Sequence, residues 1–110
     1  MPFDPLDIDR PPDVWAYAID GWYVWAGRTA QDNDRLSVKV ARGDDWWFHL
    51  RGMPGSHVVL FVRDGIEPER QVVKAAAAIA AWHSKQRNAG TVAVSATRAR
   101  FVSKPRGAKP

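Results

Sequence analysis

The chain has 110 residues and a formal net charge of +4, the size of one domain. It has no cysteine, which excludes disulfides, thiolate metal sites and cysteine nucleophiles and fits a reducing, cytoplasmic setting. The charge is unevenly divided: up to Glu69 there are seven basic and twelve acidic residues, a balance of −5, whereas Arg70 to Pro110 carry nine basic residues and no acid.

Apolar residues make up 45% and six residues are Trp, a composition that folds. No stretch approaches the roughly 20 apolar residues of a membrane helix, so no membrane partner is expected. The start, MPFDPLDIDRPPD, is not read as a secretory signal. There is no internal repeat and no Gly-rich phosphate loop. Met1–Asp13, with four Asp and four Pro, is expected to be a loosely attached arm, leaving 14–110 as the folded domain.

Val14–Ile19 and Trp22–Ala26 are β-prone runs around Asp20-Gly21. That dipeptide suits both positive-φ positions of a type I′ turn and predicts a hairpin. Leu36, Val38 and Val40 alternate with Ser37 and Lys39, which predicts a half-buried strand with Lys39 on its open face. After the turn Gly43-Asp44-Asp45 come two more strand-like runs, Trp46–Arg51 and His57–Val62, joined by Gly52–Ser56. A loop of this kind allows antiparallel pairing, with Gly55 free to take a positive φ. In the first run Trp46, Phe48 and Leu50 share one face, and Trp47, His49 and Arg51 the other. Asp64-Gly65 predicts a turn.

Pro68 suits a first helical turn, with Glu67 and Glu69 at the positive end of the dipole. The stripe Val72, Ala76, Ile79, Ala80 and His83 predicts a helix, and Asn88-Ala89-Gly90 stops it. Val92–Val94 and Arg98–Val102 read as closing strands before a basic tail, Lys104–Pro110. The predicted architecture is α+β: a largely antiparallel sheet with one main helix (about 68–86) packed on one face.

His49 and His57 flank one hairpin loop and are the natural start of a metal site. A third ligand would have to come from Asp44, Asp45 or His83, none at motif spacing, so no metal and no cofactor is expected. Ser56 and His57 are strand neighbours pointing to opposite faces, and Gly-x-Ser-x-Gly is absent, so no hydrolase is expected. Asp44 and Asp45 read as turn residues. Asp32 and Asp34 lack the Gly and distal Glu of a calcium loop. The basic third carries more information. Arg98 and Arg100 alternate on one expected strand and share a face, and Lys104, Arg106 and Lys109 follow. No acid lies in that stretch, so it should attract a polyanion, and Trp or His beside Arg can stack on unpaired bases.

Three blocks then point to a family: GRTAQDNDRLSVKVARGDDWWFHLRGMPGSHVVL, AAAAIAAWHSKQR and RFVSKPRGAKP. In order and spacing they resemble the NFACT-R domain, the RNA-binding module of the NFACT ribosome-associated quality-control factors, which include bacterial fibronectin/fibrinogen-binding proteins. The resemblance spans roughly Val14 to Pro110. The family's Gln-Asn-Asp stands here as Asp32-Asn33-Asp34, and its Asp-Tyr-Thr before the basic strand as Ser95-Ala96-Thr97. Full NFACT proteins add an N-terminal domain, helix–hairpin–helix elements and a long coiled coil, grip the large ribosomal subunit and recruit tRNA. None of those parts fits in 110 residues.

What the resemblance implies is a stand-alone module for structured RNA, tRNA or rRNA, with the large ribosomal subunit as a possible larger partner. Arg28, Lys39, Arg51, Arg98, Arg100, Lys104, Arg106 and Lys109 would supply phosphate contacts. His49 and His57 would shape the hairpin loop or contact RNA. The competing readings are a small metal-assisted enzyme on a nucleic acid or nucleotide using His49 and His57, and a docking module for an acidic protein.

Overall fold

The computed structural model describes residues 11–84 and 92–102. Five strands form one sheet: β1 (Val14–Ile19), β2 (Trp22–Gly27), β3 (Trp46–Leu50), β4 (Val58–Leu60) and β5 (Val94–Arg98), in the order β1-β2-β4-β3-β5. Every pairing is antiparallel. The hairpin β1–β2 turns at Asp20 (φ 49°) and Gly21 (φ 83°), as the Asp-Gly dipeptide predicts. In the β3–β4 loop the positive φ falls on Gly52 (68°), not on Gly55. Gly55 instead bridges to Ser84, and a Cβ there would meet the His83 carbonyl at 3.3 Å.

The long helix, α2, runs Arg70–Trp82 and is capped by Glu69 in extended geometry. The shorter span follows from backbone geometry: Pro68 precedes the helix rather than opening it, and His83 has already left helical φ/ψ (−87°, 45°). Val72, Ala76 and Ala80 are the buried part of its stripe, and they pack on Val24, Ala26, Phe48, Val58 and Leu60. Small alanines at the contact let the helix approach the sheet closely, so the β-branched and aromatic side chains of the sheet fill the space.

The other sheet face is covered by a second helical segment, where the alternation had predicted a strand. α1 covers Ala30–Asp34, and wide π-type turns continue it through Arg35–Val40, closed by Ala41 N donating to Leu36 O at 2.9 Å. Thr29 caps it: its Oγ1 accepts from Asp32 N at 3.2 Å and donates to Asp32 Oδ2 at 2.7 Å. Leu36 and Val40 are buried on Trp25, Val59 and Phe61, while Val38 is 50% exposed. An i, i+4 contact therefore replaces i, i+2 alternation, and a five-residue apolar pattern cannot separate the two periods. Lys39 remains exposed, as expected, but on a helix.

A single strand, β5 (Val94–Arg98), followed by a 3₁₀ turn, Ala99–Phe101, stands where two strands, Val92–Val94 and Arg98–Val102, were expected. The turn is fixed by Ala99 N donating to Asp45 O and Arg100 N to Gly43 O. Asp45, 3% exposed, ties the region together. Its carboxylate accepts from Arg42 N and Val62 N, both at 2.8 Å, and burial pushes its pKa up against those bonds. Of the expected arm, residues 1–10 lie outside the described residues. Its described end is joined to the fold, with Asp13 N donating to Asp32 Oδ1 and Asp13 O accepting from Arg28 N. The helix stop at 88–90 and the tail 104–110 also lie outside the described residues. Among the described residues no helix is long and apolar enough to cross a membrane.

Candidate nucleic-acid interface

Strand alternation sends Phe48 into the α2 core and Trp47 and His49 to the opposite face. His57 precedes β4 on that same side. Trp47 Nε1 donates to Ser37 Oγ at 2.9 Å, and that oxygen lies 2.7 Å from His57 Nδ1. The His49 and His57 rings meet edge to face at 5.0 Å, and Trp47 touches both, at 5.9 and 5.1 Å. The two histidines that flank the loop in sequence are thus brought together. Ser37 reaches them because its segment is helical. Asn33 fixes the loop from the same segment: its Oδ1 accepts from His57 N at 3.0 Å and its Nδ2 donates to Gly55 O at 3.3 Å.

Burial pushes the His57 imidazole down to about 4, with His49 beside it adding repulsion. Burial also lowers His49, against a hydrogen bond to the Gly55 backbone. Both rings are therefore neutral at physiological pH. They offer ring surface and hydrogen-bonding nitrogens, not cationic charge. Among the described residues no group of three His, Asp or Glu side chains could hold a metal ion.

Arg98 and Arg100 are not the uncompensated pair that the sequence suggested. Arg98 lies over the Trp46 ring at 4.1 Å, pairs with Glu67 at 2.6 Å and donates to Asp44 O at 2.7 Å. Arg100 sits on the 3₁₀ turn, pairs with Asp44 at 2.7 Å and borders a small cleft with Ser37 and Val38. The strand ends between them, so they do not alternate on one face. Their carboxylates come from the acidic first two-thirds of the chain, which a reading of local sequence does not see.

Arg28, Lys39 and Arg51 are exposed, and no described carboxylate pairs with them. Arg28 lies 4.8 Å over the Trp15 ring, and Trp15 in turn stacks on His83 at 4.3 Å. Tyr17 Oη and His83 Nε2 share a hydrogen bond. His83, expected on the apolar stripe of the helix, is instead the polar end of an aromatic cluster. Trp15, Tyr17, Ser37 and Trp47 were not among the expected site residues. The signals available were the Thr29-x-x-Asp32 cap, which marks a helix start, and the density of Trp near basic residues. Lys104, Arg106 and Lys109 lie outside the described residues.

Five antiparallel strands with a helical layer on each face and an aromatic, basic rim define a small α+β module. The chain belongs to the NFACT RNA-binding domain family: the description "NFACT protein RNA binding domain" matches residues 14–109. It is 41% identical over 93 residues to the Rqc2 homolog RqcH of Bacillus subtilis, and 38% identical over 94 residues to the Rqc2 homolog RqcH of Streptococcus suis. Each match covers 84% of this chain but only 16% and 17% of the relative, so the chain spans about a sixth of the curated relatives' length. Its fold is similar to the solved C-terminal part of the fibronectin/fibrinogen-binding protein from Streptococcus suis. That likeness has a TM-score of 0.80 at 34% identity, over 97% of this chain and 42% of that one.

Proposed function

We propose that this chain is an RNA-binding module for structured RNA, tRNA or rRNA, acting in the cytoplasm in translation or ribosome-associated quality control. The observation that carries the reading is the family match across residues 14–109, which spans every described element. The chemistry proposed is binding, with no bond made or broken.

Arg28, Lys39 and Arg51 supply phosphate contacts without first leaving a carboxylate. Arg98 and Arg100 engage phosphate by exchanging Glu67 and Asp44 for it, and Lys104, Arg106 and Lys109 add positive charge for the same phosphates. The neutral His49, His57 and Trp47 rings form a surface suited to ribose and base contacts. The large ribosomal subunit is the larger partner proposed, since the family match and the likeness to Rqc2 homologs both favour a ribosome-linked role. Ultraviolet crosslinking of the full chain to total cellular RNA, followed by peptide mapping and sequencing of the RNA, tests this. Crosslinked peptides within 28–57 and enrichment of tRNA or rRNA are expected. An absence of crosslinks, or crosslinks without enrichment, would remove the proposal.

A further inference from the structure

Among the described residues Phe101 is the most exposed large apolar side chain, at 69%, and it ends the 3₁₀ turn after β5. The Arg100 guanidinium lies over its ring at 4.9 Å. With that cation on one side, so high an exposure leaves the rest of the ring accessible. Val38, on the π-type turns, is 50% exposed. Between the two segments lies an open cleft of about 380 Å³, walled by Ser37, Val38, Ala41, Ala99, Arg100 and Val102, in the lower range of small-ligand sites. A lone exposed apolar side chain is ordinary, whereas two beside a cleft rimmed by cations mark a contact surface.

The backbone that carries Phe101 is held in place. Ala99 N donates to Asp45 O at 2.8 Å, Arg100 N to Gly43 O at 3.2 Å and Val102 N to Ala99 O at 2.9 Å. A ring on so fixed a turn loses little freedom on binding. Those bonds spend wall backbone groups on the fold, so the cleft offers apolar surface and charge more than base-reading donors and acceptors. Lys39, next to Val38, is exposed. Arg100 pairs with Asp44, but the side chains are 51% and 73% exposed, so the pair is screened and weak and a phosphate can take the place of Asp44. An acidic peptide would meet the same cations. What favours RNA is continuity with the ring face. The Ser37 hydroxyl on the cleft wall accepts from Trp47 Nε1 at 2.9 Å and lies 2.7 Å from His57 Nδ1.

We propose that Phe101 is the stacking platform for an unpaired base of an RNA strand, with Lys39 and Arg100 on the phosphates beside it. The strand continues past Ser37 onto the Trp47, His49 and His57 rings. The inference rests on the RNA-binding reading and deepens it: the module takes structured RNA where a strand leaves its duplex. Stacking on a ring beside a cation is tolerant of base identity.

The test uses the full chain and an RNA duplex carrying 5-iodouridine in a single-stranded overhang, against the same duplex with blunt ends. Tighter binding of the overhang form and a photocrosslink mapping to Phe101 are expected. Phe101→Ala should lose roughly 5- to 150-fold in affinity for the overhang form only. Phe101→Trp should hold that affinity, and Phe101→Leu, which keeps apolar contact without the ring, should not. Substitutions at so exposed a side chain leave the fold intact, so the variants report binding. Lys39→Gln should lower the salt slope by about 1. Equal binding of both duplexes, an unchanged Phe101→Ala, or a Phe101→Leu as good as the parent would overturn the stacking proposal while leaving RNA binding intact. Binding of neither duplex would remove RNA binding itself. Phe101-dependent binding of a leucine-containing polyglutamate peptide, with RNA affinity unchanged in Phe101→Ala, would overturn the assignment to RNA in favour of an acidic protein.

Discussion

At the scale of single residues, the packing around Asn33 and Gly27 decides whether the loop that carries His57 is held. A Cβ on Gly27 would lie 2.1 Å from Asn33 Oδ1 and 3.0 Å from Asn33 N. Backbone cannot yield cheaply there, so Gly27→Ala is expected to cost about 1–3 kcal/mol, read as a lowered urea midpoint at unchanged slope. His57 gives a second prediction. Its folded pKa lies near 4 against an ordinary 6.5, so the native state binds fewer protons than the unfolded chain between those values. Stability is full above about pH 6.5 and falls as pH drops toward 4, by on the order of 3 kcal/mol. His49 adds repulsion and Asp34 opposes it. An NMR titration should find no His57 midpoint above about pH 5; a midpoint near 6.5 would contradict the burial that lowers it. None of this was legible from sequence. The spacing of His49 and His57 placed them near each other, but their neutrality comes from burial, to which the segment carrying Ser37, expected to be a strand, contributes as a helix.

At the scale of elements, the hairpin, both strands around the 52–56 loop and the long helix were legible because their signals are local. Asp20-Gly21 fixes a turn, and Val72, Ala76 and Ala80 repeat at the helical period. The segment 36–40 was misread because Leu36 and Val40 satisfy both periods, and only the burial of one flank and exposure of Val38 separates them. The end of β5 was misread because what ends it is remote: Asp45 O and Gly43 O capture Ala99 N and Arg100 N. The close approach of α2 to the sheet has a test. Ala76 is fully buried against β-strand side chains whereas Ala78 is exposed. Ala76→Leu is expected to lose about 1–3 kcal/mol by overpacking, while Ala78→Leu should change thermal stability little. Equal effects at the two positions would contradict the packing.

At the scale of the whole molecule, the division of charge along the chain is partly cancelled in space. Glu67 and Asp44, from the acidic part, neutralise Arg98 and Arg100 from the basic third. The described cations left for phosphate include Arg28, Lys39 and Arg51, all from the acidic two-thirds. Changing these three together to Gln should therefore weaken RNA binding and flatten its salt slope more than changing Arg98 and Arg100 together, which also disrupts the Trp46 and Glu67 contacts and lowers stability. RNA binding itself is tested most directly by fluorescence anisotropy of the full chain with labelled tRNA and rRNA fragments across a salt series. With four to six phosphates neutralised, affinity should fall by roughly two to three decades between about 50 and about 200 mM salt. Absence of binding to either RNA at low salt, or binding indifferent to salt, would contradict it.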